Sequence, residues 1–210
     1  MATFIKAGFW QKLCDPCEGY KHWLNLDNFI SNFLRNTPSG LFAQTADGTE
    51  IVNTADESSL IGTGVGSLSI PANGFKVGDS FVARMGGNIS TSGGSDTIRI
   101  RVESENGSTI VLADSGVQTL PGLTDEAFNL EVDFTIRQIG EAGTAEILST
   151  GIITFQKSSS GSVEGFEFSS LNNTTFHTLY DQTLKITAEW GSANPDSSIQ
   201  STFLVLNKIY

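Results

Sequence analysis

Cys14 and Cys17 stand in a C-x-x-C spacing that fits a redox pair, half of a zinc site or two ordinary thiols. A thioredoxin-type pair needs a βαβ unit around it, and the flanking pattern has none. His22 offers a third zinc ligand, but no second C-x-x-C follows, and the other histidine, His177, lies far along the chain. The pair is therefore read as plain thiols, with a local disulfide or a shared metal as the alternatives. Nucleophilic catalysis of the Ser/His/acid kind needs a histidine base, yet His177 sits in Asn173-Thr174-Thr175-Phe176-His177-Thr178 beside no G-x-S-x-G elbow and reads as structural. Paired carboxylates run glycoside hydrolysis, and Glu164, Glu167, Asp181 and Glu189 fall on or near expected strands. Among 23 acidic residues, chance pairs are expected, and these read as solvated strand faces. Asp47, Asp56, Asp114 and Asp125 are loop oxygens suited to calcium, without an EF-hand-type spacing. Gly62-Thr63-Gly64-Val65-Gly66 has the look of a phosphate loop, but a strand-like run, Ser67-Leu68-Ser69-Ile70, follows where a helix is required. The glycines read as a bend between sheets. No catalytic residues, no metal and no cofactor are expected, and the chain is not read as an enzyme.

Aromatic side chains are a further candidate. Phe176, Tyr180 and Trp190 are possible ligand or interface residues, as a platform on which a sugar would stack. Against that, Leu184, Ile186, Ala188 and Trp190 share one face of an alternating run, which favours core or interface packing for Trp190. Sequons at Asn88, Asn106, Asn172 and Asn173 are read as coincidence, because the amino terminus lacks the unbroken apolar stretch of a signal peptide. No window reaches the roughly 18 apolar residues of a membrane span, so no membrane insertion is expected.

Two unlike parts position these residues. Residues 1–40 carry four basic and three acidic side chains, against eight basic and 20 acidic in residues 41–210. The whole chain of 210 residues has a net charge of −11, a field that repels phosphate backbones and argues against nucleic acid as a partner. Between Tyr20 and Arg35, apolar residues recur at spacings of three and four (Trp23, Leu26, Phe29, Ile30, Phe33, Leu34), which predicts a short amphipathic helix ending at Thr37-Pro38-Ser39-Gly40. From Leu41 onward, β-branched and aromatic runs alternate with Gly, Asn, Asp, Ser and Pro. About ten or eleven strands follow from this pattern, clearest in Ile98–Val102 and Leu130–Arg137. Turn signals fall at Pro71–Gly74, Ser92–Ser95, Glu105–Ser108, Pro121-Gly122, Glu141–Gly143 and Asn194–Asp196. The expected fold is mainly β: an antiparallel two-sheet jelly-roll sandwich over 41–210, preceded by an aromatic arm over 1–40.

The run Leu184-Lys185-Ile186-Thr187-Ala188-Glu189-Trp190-Gly191, with Thr175–Thr178, Ser197–Ser201 and Leu206–Tyr210, resembles the ending of jelly-roll virion proteins of large DNA viruses and marine tailed phages. Leu68–Phe75 followed by Gly78-Asp79-Ser80-Phe81 does so too, and the resemblance spans roughly residues 58–210. It implies a virion protein, capsid-associated on the surface or of head-fibre type, made in the host cytoplasm and often a homotrimer, with no catalytic residues. The arm would then be the particle anchor. Phe4, Phe9, Trp10, Trp23, Leu26, Phe29, Ile30 and Phe33 cannot all be shielded within some 40 residues, so they are the expected particle-anchoring residues against capsid or other virion proteins. The second reading is a carbohydrate- or receptor-binding module, a fibre tip or lectin-like domain whose partner is a host surface glycan.

Overall fold

The computed structural model describes residues 39–158, 160–168 and 171–210. The expected helix, the anchoring residues Phe4 to Phe33, His22, and Cys14 and Cys17 lie outside the described residues. In chain order the strands are β1 (Ser39–Gln44), β2 (Ile51–Val52), β3 (Ser58–Ser59), β4 (Gly64–Gly66), β5 (Ser69–Ile70), β6 (Ser80–Thr91), β7 (Thr97–Glu105), β8 (Thr109–Asp114), β9 (Gln118–Thr119), β10 (Leu123–Ile139), β11 (Thr144–Gln156), β12 (Val163–Glu167), β13 (Leu171–His177), β14 (Gln182–Trp190) and β15 (Ser198–Lys208).

Every pairing between them is antiparallel. One sheet, here sheet A, runs β12-β11-β10-β6-β15-β1-β4, with β13 also on β11 and β2 on β15; sheet B runs β3-β14-β7-β8, with β5 on β14 and β9 on β7. Because β3 and β5 both lie along β14, they act as one interrupted strand. The principal strands in chain order are then β1, β3/β5, β6, β7, β8, β10, β14 and β15. The first, eighth, third and sixth are neighbours in sheet A, and the second, seventh, fourth and fifth in sheet B. That interleaving of two sheets is the jelly-roll plan. β11, β12 and β13 are an addition between the sixth and seventh strands that widens sheet A.

Alternation explains the sandwich. On β10, Phe128, Leu130, Val132, Phe134 and Ile136 are buried while their neighbours face outward; Ile98, Ile100 and Val102 on β7 and Leu184, Ile186, Ala188 and Trp190 on β14 meet them from sheet B. Each buried Phe or Ile contributes roughly 1.5–3 kcal/mol. The glycine run does bend between sheets: β3 and β5 pair β14 in sheet B, whereas β4 pairs β1 in sheet A. Gly66, at φ +89°, has no room for a Cβ against the Leu41 carbonyl, so glycine is required where the chain crosses. On the opposite flank, Asn173 Nδ2 of β13 donates to the Val111 carbonyl of β8 at 3.4 Å, bringing the added strands of sheet A to the edge of sheet B.

Two features depart from the sequence reading. β10 starts at Leu123, well ahead of the alternating run Leu130–Arg137, and β13 forms over Leu171–His177, where no strand was expected. Asn172-Asn173-Thr174-Thr175 has turn-forming composition, but β11 is 13 residues long and its Thr144–Ser149 half offers an unpaired edge that β13 fills. Tertiary pairing overrides local preference there.

Candidate functional site

Three turns meet at the end of the sandwich where β14 begins. Pro71–Gly74 is closed by the Gly74 N–H on the Pro71 carbonyl, and Gly140–Gly143 by the Gly143 N–H on the Gly140 carbonyl, each at 2.9 Å. The third, residues 178–181, joins β13 to β14. Thr178 ties them together. Its carbonyl accepts the Asn73 N–H at 2.7 Å, its own N–H donates to the Gly143 carbonyl at 2.9 Å, and its buried hydroxyl donates to that same carbonyl at 3.0 Å. Asp181 Oδ1 accepts the Ala72 N–H at 2.8 Å. Six bonds thus fix the turns before any ligand arrives. Gly143 sits at φ +75°, and a Cβ there would run into the Leu179 side chain, so only glycine lets Leu179 lie over this turn.

The β7–β8 turn, Glu105-Asn106-Gly107-Ser108, faces them. An open cleft of about 580 Å³ lies between, lined by Ala72, Glu105, Asn106, Gly107, Leu179, Tyr180, Asp181 and Thr183. Tyr180 is 58% exposed, and the His177 ring stands edge-on to it at 5.9 Å between centroids. Asn106 Oδ1 accepts from the Ser108 N–H at 3.3 Å and its hydroxyl at 3.0 Å. Among the described residues, neither Asn106 Nδ2 nor Asp181 Oδ2 makes a hydrogen bond. Glu105 pairs with Lys185. An accessible ring face, an amide donor and a carboxylate acceptor therefore stand around one fixed hollow. Such a set matches a ligand that presents C–H groups on one face and hydroxyls at its rim.

The structure separates the three aromatic candidates. Phe176 is 2% exposed and packs edge-on to Phe75 at 5.1 Å; Trp190 is 2% exposed, and its Nε1 donates to the Ile51 carbonyl at 3.1 Å. Both project inward by strand alternation, so no surface platform of three rings exists, and only Tyr180, on a turn, reaches solvent. The four carboxylates considered for glycoside chemistry are likewise dispersed. Glu164 and Glu167 are on β12 of sheet A, Glu164 paired with Lys157. Asp181 and Glu189 flank opposite ends of β14, Glu189 paired with Arg101. Of the calcium candidates, Asp114 is held by Arg99 at 2.5 Å and Asp125 by Asn88 at 2.6 Å. No group of three or more metal-type side chains occurs among the described residues. Asn106, Leu179, Glu105 and Thr183 were not singled out as ligand-facing by sequence; Asn106 appeared only as a turn and a sequon. The available signal was Leu179-Tyr180-Asp181, large apolar residues beside an acid just before an alternating strand.

Fold and site together define an antiparallel β-sandwich of jelly-roll connectivity with a ligand-sized cleft between its end loops. No protein-family model matches the chain, and no curated protein matches it. Among solved structures it is similar to lectin II from Ulex europaeus, with a TM-score of 0.42, 8% identity, and 82% of this chain and 92% of that chain covered. It is also similar to a legume lectin-like domain from Entamoeba histolytica, at a TM-score of 0.28, 7% identity and coverage of 84% and 92%. An alginate lyase from Pseudomonas aeruginosa matches at a TM-score of 0.25, 14% identity and coverage of 61% and 64%.

Proposed function

We propose that the chain is a glycan-binding module that holds a sugar in the Tyr180 cleft. The observation that carries this reading is the exposed Tyr180 ring beside the uncommitted Asp181 Oδ2 and Asn106 Nδ2, on turns already fixed by backbone bonds. A pyranose stacks its C–H face on the ring and exchanges hydroxyl hydrogen bonds with the two polar groups, and the rigid turns keep the ordering cost low. The partial likeness to lectins is not part of the support. Screening the full chain against a glycan array tests the reading. At least one class of glycan is expected to bind, and Tyr180→Ala should weaken it by about tenfold, equivalent to about 1.4 kcal/mol, with an unchanged melting temperature. Absence of binding to any glycan, or binding indifferent to Tyr180, overturns it.

The setting we propose is a virion surface, with residues 1–40 attaching the module to capsid proteins and the heads associating as a homotrimer. Its support is the sequence resemblance over 58–210, together with the aromatic residues of 1–40 that call for a partner surface. Recovery of the native protein in purified particles, and loss of that recovery in the Trp10→Ala/Trp23→Ala double variant, is the expected result; native protein found only free of particles removes it.

A further inference from the structure

The outer face of sheet B runs into the Tyr180 cleft. Thr183 and Glu105, which line the cleft, are cross-strand partners; further along the same face come Lys185 opposite Glu103, Thr187 opposite Arg101, and Glu189 opposite Arg99. Past Arg99 and Glu189 lies a second, smaller hollow of about 60 Å³, walled by those two residues with Val117 and Gly191. Two hollows thus bound one strip, which at ~3.3 Å per residue extends about 20 Å from Thr183 to Glu189.

Its side chains are already fixed. Arg99 grips Asp114 through two bonds of 2.9 and 2.5 Å, Arg101 bridges Glu57 at 2.5 Å and Glu189 at 2.8 Å, and Lys185 pairs with Glu105. Little rotamer freedom remains to be lost when a ligand arrives. No cation is left over for an anionic ligand, and carboxylates outnumber cations on the strip by five to three. In its middle stands Glu103, only 8% exposed and, among the described residues, without a hydrogen bond. Its carboxylate oxygens keep contact with solvent, and a ligand hydroxyl laid along the strip donates to them in place of water.

We infer that this strip and the Tyr180 cleft form one track for an extended, neutral, hydroxyl-rich chain, an oligosaccharide of several units rather than a single terminal sugar. The inference rests on the glycan reading of the cleft and gives it a ligand class. Charge excludes uronate and sulfated chains, because they meet surplus carboxylates with every arginine and the lysine engaged.

The test is calorimetric titration of the full chain with neutral gluco-, manno-, galacto- and xylo-oligosaccharides of one to six units, in both anomeric linkages, with a hexauronate as the charged control. In the series that binds, affinity should rise at least tenfold from the monomer to the hexamer, with no uronate binding at matched concentration. Glu103→Gln and Glu103→Ala should each weaken the hexamer five- to tenfold, leave the monomer unchanged and not lower the melting temperature. Affinity independent of length, with Tyr180 still required, overturns the track and leaves the cleft reading standing. Preference for the uronate, or hexamer binding indifferent to both Glu103 variants, also overturns the track. Binding of no member of the panel overturns the track, while the cleft reading stands or falls on the glycan array.

Discussion

Asp96 shows how one side chain joins distant parts of the chain. It is 6% exposed in the turn after β6; its Oδ2 accepts the Ser92 N–H at 2.7 Å, the Ser92 hydroxyl at 2.8 Å and the Ser197 hydroxyl at 2.9 Å, while Oδ1 accepts Asn194 Nδ2 at 3.1 Å. Burial works to raise its pKa, but the bonds from Ser92, Ser197 and Asn194 outweigh it and hold the carboxyl below the ordinary aspartate value. A depressed folded pKa means that the contribution is complete above the unfolded value of about 3.9 and is lost as pH falls through the lower folded value. Asp96→Ala should therefore cost about 2–3 kcal/mol at pH 7, and its deficit against the parent should shrink below about pH 4. Urea unfolding at pH 7 and pH 3 measures both; an equal deficit at the two values contradicts the charge-assisted account.

At the scale of elements, the β7–β14 ribbon has opposite pH behaviour at its centre and its margins. Glu103 is pushed above the usual glutamate pKa first by burial, with the charges of Glu57 and Glu105 adding to it. Its ionisation therefore opposes folding, increasingly so as pH rises from the unfolded value through the folded one. Glu103→Gln should melt no lower than the parent at pH 7, and the difference should vanish near pH 4; a lower melting temperature at pH 7 contradicts this. Asp114 lies in the other direction, held below its ordinary value first by the Arg99 hydrogen bond, so that pair strengthens the sheet above the carboxylate range and weakens it in acid. Packing between β6 and β15 gives a separate expectation. A Cβ on Gly87 would strike the Gln200 carbonyl, backbone that cannot step aside, whereas one on Gly86 would first meet the Phe203 ring, which is 43% exposed. Gly87→Ala should cost about 1–3 kcal/mol and Gly86→Ala less, as thermal unfolding of the two variants will show.

For the whole molecule, the described sandwich begins at its first ladder pair. Ser39 and Gly40 are register partners of Lys208 and Asn207, and Lys208 also pairs with the nearly buried Asp79 at 2.6 Å, so the end of β15 is tied to both β1 and the start of β6. Residues Ser39–Ile209 make one compact unit. A chain starting at Ser39 should melt in a single cooperative transition. One starting at Leu41 loses the two outermost pairs, about 1 kcal/mol, and should melt roughly 2–4 °C lower. Differential scanning calorimetry of the two chains decides this, and equal melting temperatures contradict it.

Much of the architecture is legible in the residues themselves. The period-two runs of Ile98–Val102 and Leu130–Arg137 determine which side chains face inward, because a strand alternates its faces whatever it pairs with. Pro71–Gly74, Glu105–Ser108 and Glu141–Gly143 mark reversals through Gly, Asn and Pro, whose backbone preferences act locally. Trp190 was legible as an inward residue from its place beside Leu184, Ile186 and Ala188. Tertiary structure alone decided the rest. β13 forms from turn-like residues because β11 offers it a free edge, and Tyr180 and Asn106 share a cleft although they are far apart in sequence. Glu103 becomes a shielded carboxylate only when β14 and β8 flank β7. Alternation and turn preference act between near neighbours and are written in any short stretch of chain, whereas strand order, burial of a charge and the meeting of loops depend on pairings between remote segments, and the free energy of those pairings exists only once the sheets have closed on each other.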